Sequence, residues 1–239
     1  MLDGQLQRTV PNRAVSFPLP FAHIRMKFKI GDETDQNLCR AMQHEFLRCG
    51  EAYQDFILAS QQMRQGDESR ALSYRAYNAY ARFLLHLYEF LIACVQRDRN
   101  NTAQIPSDQA DILIAVFAQR AFARVTATFN SAALGSAPFN AGVNVPIEML
   151  KKFSVAFRKA RNTAMGHVKH ERAELDLSTF YRDHHKYLLS LYSGSIHMWG
   201  NIGEEFPDLG EVTAFSVLIK NTPPAVQPDL RSGDGVSFC

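Results

Sequence analysis

The strongest constraint on the fold is a long apolar pattern with helical spacing between Asp67 and Val95. Its apolar residues recur every three or four positions along one side, at Leu72, Ala76, Ala79, Tyr80, Phe83, Leu84, Leu87 and Leu91. This is the period of an α-helix that buries a single face. The segment therefore predicts a long helix packed against other helices, and it favours a mainly α fold.

Four further segments follow the same periodicity. One precedes the strongest helix (Asp32 to Met63), and three follow it (Pro106 to Asn130, Pro146 to about Gly166, and about Asp176 to Trp199). Proline is accepted in the first turn of a helix, so Pro106 and Pro146 are typical of helix starts. The Gly- and Ala-rich residues 131–144 predict a loop. We predict an up-and-down helical bundle of about five helices.

Short strands are expected at the two ends of this bundle. Residues 23–30 alternate in character and predict one half-buried strand. The run from Val212 to Ile219 predicts a second strand that could pair with the first. The expected organisation is an N-terminal extension with one strand (1–31), a helical bundle (32–205), and a C-terminal strand with a flexible tail (206–239).

Composition excludes several classes of protein. Hydrophobic residues make up 46% of the chain and charged residues 21%, which is typical of globular domains and not of disordered chains. The longest apolar run, Leu84 to Val95, is interrupted by His86 and Glu89 and is too short for a membrane span. The first residues lack a secretory signal pattern, and the four cysteines form no CxxC pair. These features favour a reduced, cytoplasmic protein without membrane contact.

Basic residues are concentrated in one part of a chain whose net charge is only +2. Between Ile147 and Arg172 there are seven basic and two acidic residues, a local excess of +5. Such an excess could attract a phosphate backbone. The alternative is a solvated helix face whose acidic partners come from elsewhere in the fold, and charge alone favours this alternative.

The end of the fourth predicted helix carries residues suited to chemistry on a phosphodiester. Arg161 lies in the last turns, Gly166 is the expected terminator, and His167 follows directly. Arginine stays charged and fits a phosphate, whereas histidine can accept and return a proton near neutrality. Such a pair could activate a ribose 2′-hydroxyl and stabilise charge on phosphorus, which restricts the chemistry to RNA. Taken alone, residues of this kind are more often a helix cap and a surface side chain.

The stretch Arg161-Asn162-Thr163-Ala164-Met165-Gly166-His167 resembles the signature of the HEPN superfamily (higher eukaryotes and prokaryotes nucleotide-binding domain). That signature is an arginine and a histidine separated by four to six residues, with a polar residue such as asparagine after the arginine. Residues 78–94, NAYARFLLHLYEFLIAC, look like the second helix of the family. The resemblance covers mostly residues 67–95 and 146–200, which leaves the helix of residues 107–130 as an insertion or a family-specific element.

The resemblance implies a metal-independent endoribonuclease, often a toxin or an antiphage effector. Such proteins act as homodimers in which two copies of the motif meet. The implied catalytic residues are Arg161 and His167, with Asn162 positioning the arginine or the nearby backbone. The implied partners are RNA and an antitoxin or another regulatory protein.

Other residues could support this site or bind RNA. Glu89 and His170 are candidates for support, although Glu89 belongs to a helical stripe whose spacing indicates a solvated face (Arg75, Asn78, Arg82, His86 and Glu89). Arg158, Lys169 and Arg172 are candidates for holding RNA phosphates, and for the last two an exposed position in a loop is an equally good interpretation.

Several further patterns argue against rival chemistries. The histidines at positions 167, 170, 184, 185 and 197 lack a known zinc-ligand spacing, so we expect neither a metal nor a cofactor. The aromatic residues of the strongest helix are expected in core and dimer packing and not in a platform for stacking bases (Tyr74, Tyr77, Tyr80, Phe83, Tyr88 and Phe90). Two alternatives stay open: a HEPN domain that binds RNA, a nucleotide or a protein without cleavage, and an unrelated helical interaction module.

Overall fold

The computed structural model describes residues 27–132, 145–165, 170, 175–196 and 211–221. These residues form six α-helices: α1 (Glu33–Arg64), α2 (Arg70–Asp98), α3 (Ser107–Ala132), α4 (Ile147–Met165), α5 (Leu177–Ile196) and α6 (Glu211–Asn221). The first five match the predicted helices, with ends that differ by a few residues. The mainly helical bundle is therefore confirmed. Within the described helices, none is long and apolar enough to cross a membrane.

The two longest helices, α1 and α2, are joined by a short turn. Asp32 caps α1 by accepting a 2.9 Å hydrogen bond from the Asp35 N–H. Gly66 follows the helix with a φ of +101°, a backbone conformation that favours glycine. Ser69 then caps α2 by accepting from the Leu72 N–H at 3.3 Å. Because the connection is so short, α1 and α2 are antiparallel neighbours.

A second set of contacts ties the start of α1 to the end of α2. The Arg97 guanidinium donates to both carboxylate oxygens of the buried Asp35, at 2.8 and 3.3 Å. Lys27 and Asn101 form an antiparallel bridge next to it. Residues 27–30 form no strand beyond this isolated bridge, so that part of the predicted N-terminal strand is wrong, while residues 23–26 lie outside the described residues. Among the described residues this segment pairs with Asn100 and Asn101, and no neighbouring strand is present along which a ladder could extend.

Helix α2 lies at the centre of the bundle. It packs against α1 and α4, and α3 packs against both α4 and α5. The shared core is built from large apolar side chains that are almost completely buried, among them Phe83, Leu84, Leu87, Phe90, Ile114, Leu150, Phe153, Phe157, Leu188 and Leu191. This arrangement places one face of α4 directly against α2, which is where the candidate site lies.

Helix α6 corrects the second predicted strand. The run from Val212 to Ile219 lies inside this helix, so it cannot pair as a strand with the N-terminal segment. A helix satisfies its backbone hydrogen bonds internally, whereas a strand needs a partner. The large apolar side chains of α6 are exposed: Val212, Phe215, Val217, Leu218 and Ile219.

Candidate functional site

Arg161, the arginine of the motif, belongs to α4, and its side chain extends toward α2. Its Nη2 forms an ion pair with Oε1 of Glu89, and its Nη1 donates a 2.6 Å hydrogen bond to Oδ1 of Asn162. Its guanidinium carbon lies 5.1 Å from the centre of the Tyr88 ring. A carboxylate, an amide and an aromatic face therefore hold one guanidinium.

The sequence of α4 explains why Arg161 takes this position. The buried side chains of this helix recur at helical spacing and face the core: Leu150, Phe153, Phe157, Ala160 and Ala164. Arg161 directly follows Ala160, at the border of the buried face. Its aliphatic stem can therefore pack against apolar neighbours while the charged head reaches the surface, and 27% of the side chain is exposed.

The surroundings of Arg161 affect its charge and its hydrogen bonds. Burial lowers the pKa of Arg161, and the nearby Tyr88 opposes this change. Since the ordinary value for arginine is above 12, the side chain stays charged. Its Nε is buried and has no hydrogen-bond partner among the described residues. The described residues therefore leave one donor of this guanidinium without an acceptor.

Tyr88 fixes the aromatic side of this arrangement. Its ring meets the fully buried ring of Phe157 edge to face, with centroids 5.3 Å apart and an angle of 79°. Burial raises the pKa of Tyr88, and the carboxylate of Asp111 adds to the increase. The phenol is therefore neutral at physiological pH. A neutral, immobilised ring offers its face to the guanidinium of Arg161, an interaction worth about 0.5–2 kcal/mol.

Arg158, one turn before Arg161 on α4, has a different environment. Its Nε donates to both oxygens of Asp111 at 2.9 and 3.1 Å, and its Nη2 donates to Oδ2 at 2.8 Å. Asp111 lies on α3 and is 7% exposed. The hydrogen bonds to Asp111 raise the pKa of Arg158. This bidentate contact joins α4 to α3 and engages Nε and Nη2 of Arg158.

The remaining candidates from the sequence divide into two groups. His167, Lys169 and Arg172 lie outside the described residues. His170 is described and exposed. The structure thus brings Arg161, Asn162 and Glu89 together and places Arg158 on a separate partner.

The stripe on α2 that was predicted to be solvated is only partly so. His86 is 5% exposed, and its Nδ1 lies 2.7 Å from Oε1 of Glu45 on α1. That part of the prediction is wrong, because α1 supplies a carboxylate that satisfies an imidazole inside the α1–α2 interface. Burial acts to raise the pKa of Glu45, but the contact with His86, together with the nearby charges of Arg48 and His44, outweighs burial and the pKa is lowered. Such a partner on another helix leaves no signal in the spacing of α2 alone.

The exposed members of the same stripe line a surface cavity beside the end of α4. The cavity has a volume of about 510 Å³ and is lined by Ala71, Tyr74, Arg75, Asn78, Arg82 and Met165. Met165 is the last residue of α4 and stands two positions before His167 in the sequence. Arg75 and Arg82 are exposed, as the stripe predicts, whereas Tyr74 was expected in packing and is 67% exposed. The stripe that Arg75, Asn78 and Arg82 share with Glu89 is the sequence signal that could identify this cavity.

The histidines of α5 are occupied by packing. His185 stacks on Tyr181 at 4.4 Å, and its Nδ1 lies 3.2 Å from the Tyr80 hydroxyl. His184 lies against the rings of Phe153 and Phe180. Burial lowers the pKa of both histidines. Over the described ranges there is no group of three or more His, Cys, Asp or Glu residues that could hold a metal ion.

Comparisons with protein-family models, with curated proteins and with solved structures find no match to this chain.

Proposed function

We propose that this chain is a metal-independent endoribonuclease of the HEPN type that acts as a homodimer in the cytoplasm. The observation that carries the proposal is the setting of Arg161. Its half-buried guanidinium is held on three sides, and its Nε donor has no partner among the residues that the structure describes. It stands six positions before a histidine, at the end of a helix in an all-helical bundle.

In the proposed reaction, His167 removes the proton from a ribose 2′-hydroxyl. The 2′-oxygen attacks the adjacent phosphorus, and the bond from phosphorus to the 5′-oxygen breaks. A proton returns to the departing 5′-oxygen, so the products carry a 2′,3′-cyclic phosphate and a 5′-hydroxyl. Arg161 stabilises the negative charge that develops on the phosphoryl oxygens. Asn162 keeps the arginine oriented through its side-chain oxygen, and Glu89 fixes the guanidinium against α2.

Cleavage of a single-stranded oligoribonucleotide tests this assignment directly. The wild-type protein should cut it in EDTA, whereas Arg161→Ala and His167→Ala should each reduce the rate by about 10²-fold or more. Arg182→Ala is a matched control, because this arginine is 71% exposed and pairs with the neighbouring Asp183 on α5. Loss of cleavage in EDTA would contradict the metal-independent mechanism. Full activity in both variants would contradict the site.

The dimer is a separate part of the proposal. One arginine and one histidine form a sparse site, whereas two copies related by a two-fold axis would face the phosphodiester with two of each. Sedimentation velocity over a range of protein concentrations should give the mass of a dimer. A monomer that retains full specific activity upon dilution would contradict this assembly.

One observation favours a second candidate, an HEPN domain that binds RNA, a nucleotide or a protein without cleaving. Glu89 neutralises part of the charge of Arg161, which weakens the attraction of this arginine for a phosphate. Under this alternative, RNA binds but no cyclic phosphate product forms at any pH. In either case, a role as a toxin or antiphage effector under the control of a regulatory protein is part of our proposal, and slower growth of cells that express the wild-type chain, relative to cells that express His167→Ala, would test the toxic role.

A further inference from the structure

The cavity beside the end of α4 combines chemical groups that recognise nucleotides. Its wall contains two guanidinium groups, from Arg75 and Arg82, the amide of Asn78 and the exposed ring of Tyr74. Guanidinium groups pair with phosphates, amides bond to the edges of bases, and aromatic rings stack on their faces. We call this cavity, lined by Ala71, Tyr74, Arg75, Asn78, Arg82 and Met165, the α2 groove.

The position of the α2 groove relates it to the candidate catalytic arginine. Arg82 and Glu89 are seven residues apart on α2, which corresponds to two helical turns or roughly 10 Å along the helix axis. Glu89 on α2 contacts Arg161 on α4, and the groove extends to Met165, the last residue of α4. A chain bound at Arg161 that follows α2 toward its N-terminus would therefore enter the groove.

The contacts of the groove residues leave them available for a ligand. Arg82 pairs with Asp55 at 2.7 Å, but both side chains are exposed, by 45% and 38%. Exposed pairs of this kind contribute little to stability, so the guanidinium can turn toward an incoming phosphate. Arg75 is exposed and Asn78 is partly exposed. The polar groups of the groove therefore face solvent and are not buried in the core.

We infer that the α2 groove holds a nucleotide that neighbours the scissile bond in single-stranded RNA. The base stacks on Tyr74, the Asn78 amide contacts its edge, and Arg75 and Arg82 bind the phosphates on either side. Bases in an A-form duplex are stacked on one another and their edges are paired, so a duplex cannot use these contacts. An acidic protein would need the arginines but neither the ring nor the amide. This inference rests on the proposed ribonuclease function and adds the substrate class and a specificity site.

Binding of a fluorescent single-stranded oligoribonucleotide to the His167→Ala protein tests the groove without cleavage. Tyr74→Ala should weaken binding by roughly tenfold, as expected for the loss of one stacked base, whereas Tyr74→Trp should preserve it. Arg75→Ala should weaken binding. It should also make the plot of log association constant against log salt concentration shallower by about 0.7, the contribution of one phosphate contact on a single strand. Arg182→Ala, outside the groove, should leave both quantities unchanged. A duplex of the same sequence should bind less tightly and should not respond to Tyr74→Ala.

Cleavage of a randomised single-stranded RNA by proteins with His167 intact provides the second measurement. Asn78→Ala should change which base is preferred next to the cleaved bond. It should reduce the total cleavage rate by a smaller factor than Arg161→Ala does. If Tyr74→Ala and Asn78→Ala bind and cut like the wild type while the arginine variants are impaired, the groove is an electrostatic patch and the inference is wrong. If no RNA is cut but binding depends on Tyr74, the groove stands and the proposed nuclease function falls.

Discussion

The carboxylate of Glu89 on α2 forms an ion pair with the guanidinium of Arg161 on α4, beside the ring of Tyr88. The pair joins two helices that are distant in the sequence and sets the direction of the arginine. The carboxylate of Glu89 also competes with an incoming phosphate for the guanidinium of Arg161. Glu89 therefore affects both the orientation of Arg161 and its affinity for an anion, and substitutions can separate the two effects.

Glu89→Gln removes the negative charge and keeps the size of the side chain. We expect a lower kcat, because the guanidinium loses its fixed orientation, and a KM for RNA that is several-fold lower, because one repelling charge is gone. Steady-state cleavage of a short oligoribonucleotide measures both constants. Glu148→Gln on α4 is the control, since Glu148 is 74% exposed and pairs only with the nearby Lys151 in the described contacts. Unchanged kcat and KM in Glu89→Gln would rule out both effects.

Phe157→Ala should destabilise the bundle and the site together. Phe157 is fully buried and supports the ring of Tyr88, so its removal should lower the free energy of unfolding by roughly 3–5 kcal/mol. Urea denaturation followed by circular dichroism measures this change. Ile112→Ala, at a position 53% exposed, should stay within about 0.5 kcal/mol of the wild type. Equal stability of the two variants would show that the α2–α4 core is not packed as described.

Arg158 and Asp111 should behave as a structural pair. Removal of one partner leaves a charge without compensation, which costs about 3–5 kcal/mol for fully buried pairs, and less is expected here because Arg158 is 25% exposed. The double variant should be less destabilised than the sum of Arg158→Ala and Asp111→Ala. A double-mutant cycle of unfolding free energies measures this coupling. Additive effects, together with a specific loss of RNA binding in Arg158→Ala, would instead support the RNA-contact role predicted from the sequence.

Acidification should destabilise the protein through the histidines of α5. Burial lowers the pKa of His185 below its ordinary value of about 6.5. As the pH falls through the unfolded value of about 6.5, the unfolded chain takes up a proton that the folded protein resists, so stability is lost as the pH approaches the lower pKa of the folded state. A protonated ring also cannot accept from the Tyr80 hydroxyl through Nδ1. His185→Gln should flatten the dependence of Tm on pH, and a slope equal to that of the wild type would contradict this.

The bundle could be predicted because its information is local. Apolar residues at helical spacing mark each of the first five helices, and proline, serine or aspartate marks several of their starts. The same local information failed between Val212 and Ile219, where a short apolar run is compatible with a strand and with a helix. Only a partner strand could have decided between them, and the described residues provide none.

The candidate site was partly predictable. Arg161 and Asn162 are adjacent in the sequence, and the resemblance to a known motif selected them. The placement of Glu89 against Arg161 depends on the packing of α2 on α4, which no spacing rule contains. The same holds for two other contacts: Arg158 is paired with Asp111 on α3, and His86 with Glu45 on α1. Neither partner could be predicted from the spacing of one helix. Sequence patterns identify which face of a helix is buried, whereas ion pairs at the edge of that face depend on its neighbours.

The tight connection between α1 and α2 has a consequence for the order of folding. Only residues 65–69 separate the two helices, so the first α1–α2 contacts, next to the turn, close a short loop and cost little chain entropy. Glu89 and Tyr88 lie on the hairpin, whereas Arg161 arrives only when α4 docks across the much longer connection. We therefore expect Glu89 and Tyr88 to reach their places on the folded hairpin early. The ion pair between Arg161 and Glu89 should form late in folding, when α4 docks. Hydrogen exchange should protect the amides of α2 before those of α4.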